Sequence, residues 1–304
     1  MSNRRSGRNG SAYMDPGEMS KMNQTFRRAC TGLLLATALL CAPAQAQEQD
    51  RLIQLINAYR QSPDACEGRV PPAAGPLSPE PRLANVDLTQ GAEQALRSEG
   101  LHIASMEAIS LSGASSAATA MRVLRGQYCK LLARPENTLI GISRKGSTWR
   151  IVLARPRLPR DPAALAGAGR EIIDLTNAAR KRARTCGAKR YPAAAPLAWN
   201  AALAKASHAH SKDMADRNYV AHKAKDGTHA GERAQRAGYR WQRIGENIAA
   251  GQGSARAAVD GWLSSPGHCA NIMNPRFTEM GAAHAVNQDS DLLIYWTQVF
   301  GTPR

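Results

Sequence analysis

The sequence predicts an α/β protein in which helices cover a small, mostly antiparallel sheet, and it predicts that this arrangement is duplicated. Within residues 169–304 the helical patterns come first and the strand patterns come last. Cysteine, proline and glycine recur between the two halves of the chain. We expect an N-terminal extension at 1–46, a degenerate first domain at 48–156, a linker at 157–168 and a complete second domain at 169–304.

The duplication is read from matched positions. The segment Leu55-Ile56-Asn57-Ala58-Tyr59-Arg60 corresponds to Leu175-Thr176-Asn177-Ala178-Ala179-Arg180 at an offset of 120. By the second cysteine of each copy the offset is 140, so the second copy is longer by about 20 residues, a stretch that includes His222. At this offset Tyr128 corresponds to His268 and Leu139 to Glu279, so the first copy lacks these polar side chains.

Helices are predicted from apolar stripes and capping residues in the second half. Apolar residues recur at helical spacing in 171–183, and Asn200 is a suitable N-cap for a helix over 201–218. His210 falls on the apolar stripe of that helix, where a hydrogen-bonded core histidine is expected. A short helix is predicted at 232–237. Ser254 can cap a helix over 255–264, and Pro266 suits the first turn of the next helix.

The strands of the second half follow from extended apolar patterns. A strand is expected near 245–248, and two more are expected at 281–286 and 292–300. The polar stretch Asn287-Gln288-Asp289-Ser290 between the last two suits a hairpin turn. Three prolines between 156 and 162 indicate an extended linker before this half.

The chain is strongly basic. Its formal net charge is +16, and residues 1–46 hold six basic and two acidic side chains, which leaves +12 on the remainder. Such a surface favours an acidic partner, or is simply a solvated basic surface. The Lys and Arg residues are not interleaved with aromatics in a run, so nucleic acid is an unlikely partner.

The N-terminal residues have the pattern of a secretory signal peptide. Arg27 and Arg28 precede the apolar run 31–42, which ends at the small-residue site Ala44-Gln45-Ala46. The run is too short for an ordinary transmembrane helix, and we expect none in the mature chain. The expected location is therefore secreted or periplasmic.

Four cysteines remain after the predicted cleavage: Cys66, Cys129, Cys186 and Cys269. Four cysteines allow three pairings, and the duplication selects Cys66–Cys129 and Cys186–Cys269, because each pair then lies within one copy. An oxidising compartment would allow both disulfides to persist. Thiol chemistry or metal ligation is the alternative, but no C-x-x-C spacing supports it.

Several motifs in the second half together point to one family. They are Ala209-His210-Ser211-Lys212-Asp213-Met214-Ala215, Tyr219-Val220-Ala221-His222, Gly245-Glu246-Asn247-Ile248, Ser265-Pro266-Gly267-His268, Phe277-Thr278-Glu279-Met280-Gly281 and Tyr295-Trp296-Thr297-Gln298-Val299-Phe300-Gly301. In these motifs the second half resembles the bacterial branch of the CAP superfamily, which comprises cysteine-rich secretory proteins, antigen 5 and pathogenesis-related 1. The resemblance implies an α-β-α sandwich with a shallow cleft lined by two histidines and two acidic residues.

Carried onto this sequence, the resemblance implies a cleft of His222, Glu246, His268 and Glu279. His222 and Glu246 match the family's first histidine and first glutamate. His268 and Glu279 are substitutes, because Tyr295 and Ser265 occupy the positions of the second pair in the eukaryotic branch. Two imidazoles and two carboxylates could bind a divalent metal such as Zn²⁺, with His222 and His268 as ligands, or act as a general acid and base. Glu246 and Glu279 could equally serve structural roles.

Three functions follow as alternatives. The first, which the resemblance favours, is a non-enzymatic binding module for a lipid, a peptide or an acidic cell-envelope component. The second is a metal-dependent hydrolase of peptide or cell-wall bonds, with Glu246 or Glu279 as the base. The third is a structural envelope protein whose tandem domains bridge partners. The sequence contains no Ser or Cys nucleophile with a recognisable partner.

Overall fold

Residues 48–304 form a unit with two four-stranded sheets, one in each half. This computed structural model describes residues 45–88, 91–157 and 165–304. Residues 1–44 of the predicted N-terminal extension and residues 158–164 of the predicted linker therefore lie outside the described residues. In the described part of the chain, no helix has both the length and the apolar character needed to cross a bilayer.

The first half of the unit contains a four-stranded sheet between two layers of helices. Its first helix, α1, contributes residues 48–61. The elements that follow are β1 (Ser78–Pro79), α2 (Pro81–Asn85), α3 (Ala92–Ser98), β2 (Ile103–Leu111), α4 (Ala117–Leu132), β3 (Leu139–Lys145) and β4 (Thr148–Pro156). One apolar core joins the sheet to α1 and α4, and a second joins its other face to α2 and α3.

The second half has the same layered design and carries additional elements. Its elements are α5 (Ala168–Arg180), β5 (Arg184–Cys186), β6 (Lys189–Tyr191), β7 (Ala198–Trp199), α6 (Ala201–Asp216), α7 (Ala230–Arg236), β8 (Trp241–Ala250), α8 (Ala255–Ser264), α9 (Pro266–Met273), β9 (Glu279–Val286) and β10 (Ile294–Pro303). Helices α5, α8 and α9 cover one face of the sheet, and α6 and α7 cover the other. The predicted α/β class with an α-β-α arrangement is confirmed.

The two sheets have equivalent strand orders. The first is β1-β3-β4-β2 and the second is β7-β9-β10-β8. In each sheet a two-residue strand pairs in parallel with its neighbour, and the other pairings are antiparallel. In both sheets the long second strand, β2 or β8, lies at an edge. Edge strands carry backbone groups without a strand partner, which suits them to ligand contacts or to capping side chains.

A buried arginine has the same role in each half. The Arg60 guanidinium donates to the carbonyls of Gly75, Leu132, Arg134 and Asn137 at 2.6–3.0 Å. Arg180 donates to those of Ala195, Ile272, Asn274 and Phe277 at 2.7–3.4 Å. Burial lowers the pKa of both guanidinium groups, that of Arg60 to about 9. Each arginine thus ties its first helix to the segment that follows the second cysteine.

The disulfides join Cys66 to Cys129 and Cys186 to Cys269. The predicted pairing is confirmed. By the chain-entropy account, loops this long stabilise the fold by about 4 kcal/mol each. The second disulfide links the β5–β6 hairpin to α9.

The two halves pack through α8. The Ser264 hydroxyl donates to the carbonyl of Leu77 at 3.0 Å, and the Gln252 amide donates to that of Pro76 at 2.9 Å. Gly261 lies so close to the first half that an added Cβ would be 2.7 Å from the Ser78 hydroxyl. The short β1 strand of the first half therefore rests on the helix that leads into α9.

Candidate functional site

Glu246 is the centre of the candidate site. It lies on edge strand β8, and its buried carboxylate is held on both oxygens. His222 Nδ1 lies 2.9 Å from Oε1, and Arg233 Nη2 donates to Oε2 at 2.6 Å. The His222 side chain is 51% exposed, whereas Arg233 is buried. The array therefore runs from a buried cation through a buried carboxylate to an imidazole at the surface.

The chain between α6 and β8 positions this array. Asp226 accepts from the Thr228 backbone and hydroxyl, and Gly227 takes a left-handed conformation with φ 88°. This turn leads into α7, whose start has a capping box formed by His229 and Glu232. Arg233 follows on the buried side of the helix and also donates to the carbonyl of Thr228 at 2.7 Å.

Glu246 is held as a carboxylate. Burial by itself would raise its pKa, but the hydrogen bond with His222 and the charge of Arg233 bring the pKa below its ordinary value. The ion pair with Arg233 offsets the cost of burying the carboxylate. Removing Arg233 or Glu246 would therefore leave the other side chain as a buried charge without its partner.

His268 reaches the site from α9. Asn271 on this helix donates to the backbone carbonyl of Glu246 at 3.1 Å, and Asn247 on β8 donates to the carbonyl of His268 at 3.2 Å. The ring Nδ1 of His268 lies 3.0 Å from the Ser265 hydroxyl. Burial lowers the pKa of His268 to about 3, and the charge of nearby His222 adds to the effect. His268 is therefore a neutral imidazole at physiological pH.

His210 is a second buried imidazole beside the carboxylate. Its Nε2 lies 2.9 Å from the carbonyl of Ala221 and 3.9 Å from Glu246 Oε1. Since a carbonyl only accepts, Nε2 carries a proton. Burial lowers its pKa. The expected core histidine is thus also a neighbour of the site.

Glu279 lies at the start of β9, apart from the other three predicted residues. It is opposite Gly301 of β10, whereas Glu246 is opposite Val299. With two strand spacings between β8 and β9, the Glu246 and Glu279 Cα atoms are about 12 Å apart. The Glu279 carboxylate accepts from Asn200 Nδ2 at 3.3 Å. Its part in the cleft remains a prediction.

The side chains of the site do not form a metal centre of the usual kind. In the described part of the chain, no three or more His, Cys, Asp or Glu side chains are grouped so that they could hold a metal ion. Both oxygens of Glu246 are engaged, and Arg233 already supplies the neighbouring positive charge. These residues therefore do not fit a Zn²⁺ site of three or four protein ligands.

Sequence reasoning missed Arg233 as a site residue. A signal was present, because Ala230, Arg233, Ala234 and Ala237 fall on one helical face at i, i+3, i+4 and i+7. A buried arginine on an otherwise apolar helical face requires an acidic partner. Glu246 is the first acidic residue after the start of the next strand, β8.

The buried histidines predict a pH dependence of stability. The unfolded state binds a proton to His268 below about pH 6.5, whereas the folded state resists protonation down to about pH 3. Stability from this group is complete above 6.5 and falls as the pH decreases, by up to about 1.4 kcal/mol per pH unit. We expect the free energy of unfolding, measured with urea, to change less between pH 6.5 and pH 4 in His268→Gln than in the wild type. The exposed His208→Gln should leave the slope unchanged, and equal slopes for wild type and His268→Gln would contradict the assignment.

The second half is similar to proteins of one known family. Residues 173–300 match the family model described as "CAP: Cysteine-rich secretory protein family". The chain is 32% identical over 139 residues to the uncharacterized protein YkwD of Bacillus subtilis, covering 46% of this chain and 49% of that protein. It is 33% identical over 112 residues to the uncharacterized membrane protein YlbC of the same organism, covering 37% and 30%. The chain thus spans about half of the first relative and less of the second.

Three solved structures are similar. An extracellular SCP-domain protein of Bacillus anthracis has a TM-score of 0.40 and 23% identity, covering 77% of this chain and 74% of that one. An outer surface protein of Borrelia burgdorferi has a TM-score of 0.37 and 16% identity, with coverages of 49% and 98%. A cysteine-rich secretory protein of Staphylococcus aureus has a TM-score of 0.32 and 17% identity, with coverages of 52% and 52%.

Proposed function

We propose that this chain is an exported binding protein, because residues 173–300 match the family model of the cysteine-rich secretory proteins (CAP). Its binding cleft lies at the edge of β8, around His222, Glu246 and His268. Its ligand is a peptide or another hydrogen-bonding component of the cell envelope.

The observation that carries this proposal is the internal pairing of Glu246. If Glu246 were the general base of a hydrolase, one of its carboxylate oxygens would have to reach the substrate, but both oxygens are engaged by His222 and Arg233. The same pairing fixes the orientation of the His222 ring and leaves Nε2 of this half-exposed side chain to face a ligand. A preoriented donor or acceptor beside buried charges is suited to recognition.

The cysteines support the same interpretation. The four in the described part of the chain are all in disulfides, so none of them is a thiolate nucleophile. Disulfides persist in oxidising compartments, which agrees with the predicted signal peptide and supports export.

We also propose that the first half is a degenerate copy of the CAP fold. Equal strand orders, equivalent disulfides and the matched arginines Arg60 and Arg180 support this. The strand register supports a correspondence between Ala108 and Glu246. Gly281 pairs with Val299, which pairs with Glu246, and Gly141 pairs with Val152, which pairs with Ala108. The first copy therefore carries the scaffold without the carboxylate of the site.

The test uses the full chain and a defined pool of cell-envelope peptides and lipids. Ligand retained by the protein is measured by mass spectrometry after equilibrium dialysis, and the same samples are examined for cleavage products. We expect the wild type to retain a peptide or polar component unchanged. Because His222 is half-exposed, His222→Ala should keep the fold while lowering retention by roughly tenfold, as for loss of one preoriented contact.

His208→Ala is the matched control, since His208 is an exposed histidine on α6. Equal retention by the two variants would exclude the proposed cleft. Cleavage products that form with the wild type and vanish with folded His222→Ala would show a hydrolase instead. Retention of lipid alone would assign the cleft to an apolar ligand.

A further inference from the structure

A basic groove lies where the first half meets the start of α8. Its volume is about 1040 Å³. The first half contributes Arg82, Arg97, Arg155 and Arg157, and the second half contributes the segment around Ser254. Among the described residues, those that line the groove do not include His222, Glu246 or His268 of the proposed cleft. The groove is therefore a separate site.

The positive charge of this groove is largely unneutralised. Among its described lining residues Glu80 is the one acidic side chain, and it forms an ion pair with Arg82 at 2.8 Å. Among the residues that the structure describes, no carboxylate forms an ion pair with Arg97, Arg155 or Arg157. The Arg157 Nε–H donates to the carbonyl of Ile103 at 3.0 Å, which orients its guanidinium without neutralising it.

The lining also indicates what kind of anion would fit. Arginine forks match phosphate and carboxylate groups in a bidentate manner. The described lining contains no Phe, Tyr or Trp, the residues on which single-stranded nucleic-acid bases stack. The exposed large apolar residues of the described chain are Val70, Leu88 and Val286, and none lines the groove, so nothing there would insert into a membrane.

We propose that this groove binds a linear, non-aromatic polyanion, with Arg97, Arg155 and Arg157 contacting successive anionic groups. A polymer can follow an open groove and meet charges on more than one element, because these arginines come from α3, from β4 and from the residue after β4. The net charge of +12 outside residues 1–46 would attract such a polymer from a distance. Since the groove contains residues of both halves, neither half forms it alone.

The probe is fluorescently labelled inorganic polyphosphate, with binding to the full chain measured by anisotropy at several salt concentrations. The test variant is Arg97→Gln with Arg155→Gln and Arg157→Gln. The control variant is Arg190→Gln with Arg243→Gln and Arg276→Gln, which removes the same charge from exposed arginines outside the groove. We expect the groove variant to bind at least about tenfold more weakly, and its slope of log K against log salt to be smaller by roughly 2.

Equal weakening by the two variants would overturn the proposal, because it would show only long-range attraction. Absence of polyphosphate binding by the wild type would overturn it too, as would equal or tighter binding of anionic lipid vesicles or single-stranded DNA. Thermal melts establish that both variants are folded. A variant with Arg97→Lys, Arg155→Lys and Arg157→Lys should bind more tightly than the glutamine variant, because it keeps the three charges. Unchanged polyphosphate binding by His222→Ala would separate this groove from the cleft.

Discussion

Arg180→Met is expected to lower the free energy of unfolding by about 4 kcal/mol. The guanidinium is the donor for four carbonyls, and three of them, those of Ile272, Asn274 and Phe277, belong to the segment at and after the end of α9. Methionine fills most of the volume but offers no donor. The buried carbonyls would then remain unsatisfied or admit water. Urea denaturation of the purified variant measures the loss.

Arg60→Met provides a test within the same molecule, because Arg60 makes the equivalent four contacts in the first half. We expect losses of similar size for the two variants, and a smaller loss for Arg180→Lys, which retains a single donor group. Arg190→Met, at an exposed position, should change stability by less than about 0.5 kcal/mol. A loss below about 1 kcal/mol for Arg180→Met would show that the contacts are not important for stability.

Gly281→Ala is also expected to lower the free energy of unfolding strongly. An added Cβ would lie 2.0 Å from the backbone nitrogen of Ala204 and 2.4 Å from the carbonyl carbon of Leu203. Both are main-chain atoms near the start of α6, so no side-chain rotation can relieve the contact. The helix would have to move away from β9, at a cost of about 3 kcal/mol or more. Denaturation midpoints report the cost, and near-UV circular dichroism reports whether tertiary packing survives.

Gly141→Ala should behave in the same way, since its Cβ would lie 2.3 Å from the Ala84 nitrogen. Gly126→Ala is the opposite control: it lies within α4, with nothing within 4 Å of an added Cβ. There alanine should stabilise the helix by about 0.5–1 kcal/mol. A Gly281→Ala protein as stable as the wild type would mean that α6 does not lie as close to the sheet as the structure places it.

Local signals predicted the elements of the second half well. Helix α8 occupies the predicted residues 255–264, because Ser254 caps its start. The β5–β6 hairpin was not predicted, since residues 184–191 contain three basic residues among eight and lack an alternation of apolar and polar residues. Its position depends instead on the disulfide from Cys186 to α9, which is a tertiary constraint. Helix α5 begins and ends three residues earlier than the predicted 171–183. Helix ends depend on caps that periodicity does not locate.

The site was predictable only in part. His222 and Glu246 were identified from motifs, and they are in contact. The location of Glu279 depends on strand register, which sequence spacing does not determine. The role of Arg60 and Arg180 could have been suspected from their repetition on an apolar helical stripe. Their partners are backbone carbonyls, however, and every residue type offers those, so no sequence pattern marks them.

Three independent restraints act on α9. A disulfide joins Cys269 to the β5–β6 hairpin, Arg180 fixes the carbonyls at the end of the helix, and Asn271 attaches it to β8. Because α9 is restrained in this way, it would lose little conformational entropy on binding a ligand. Binding at the proposed cleft would then resemble the association of two rigid bodies, because the conformational entropy of α9 is already lost when the chain folds. Selectivity would depend on shape complementarity rather than on adaptation to the ligand.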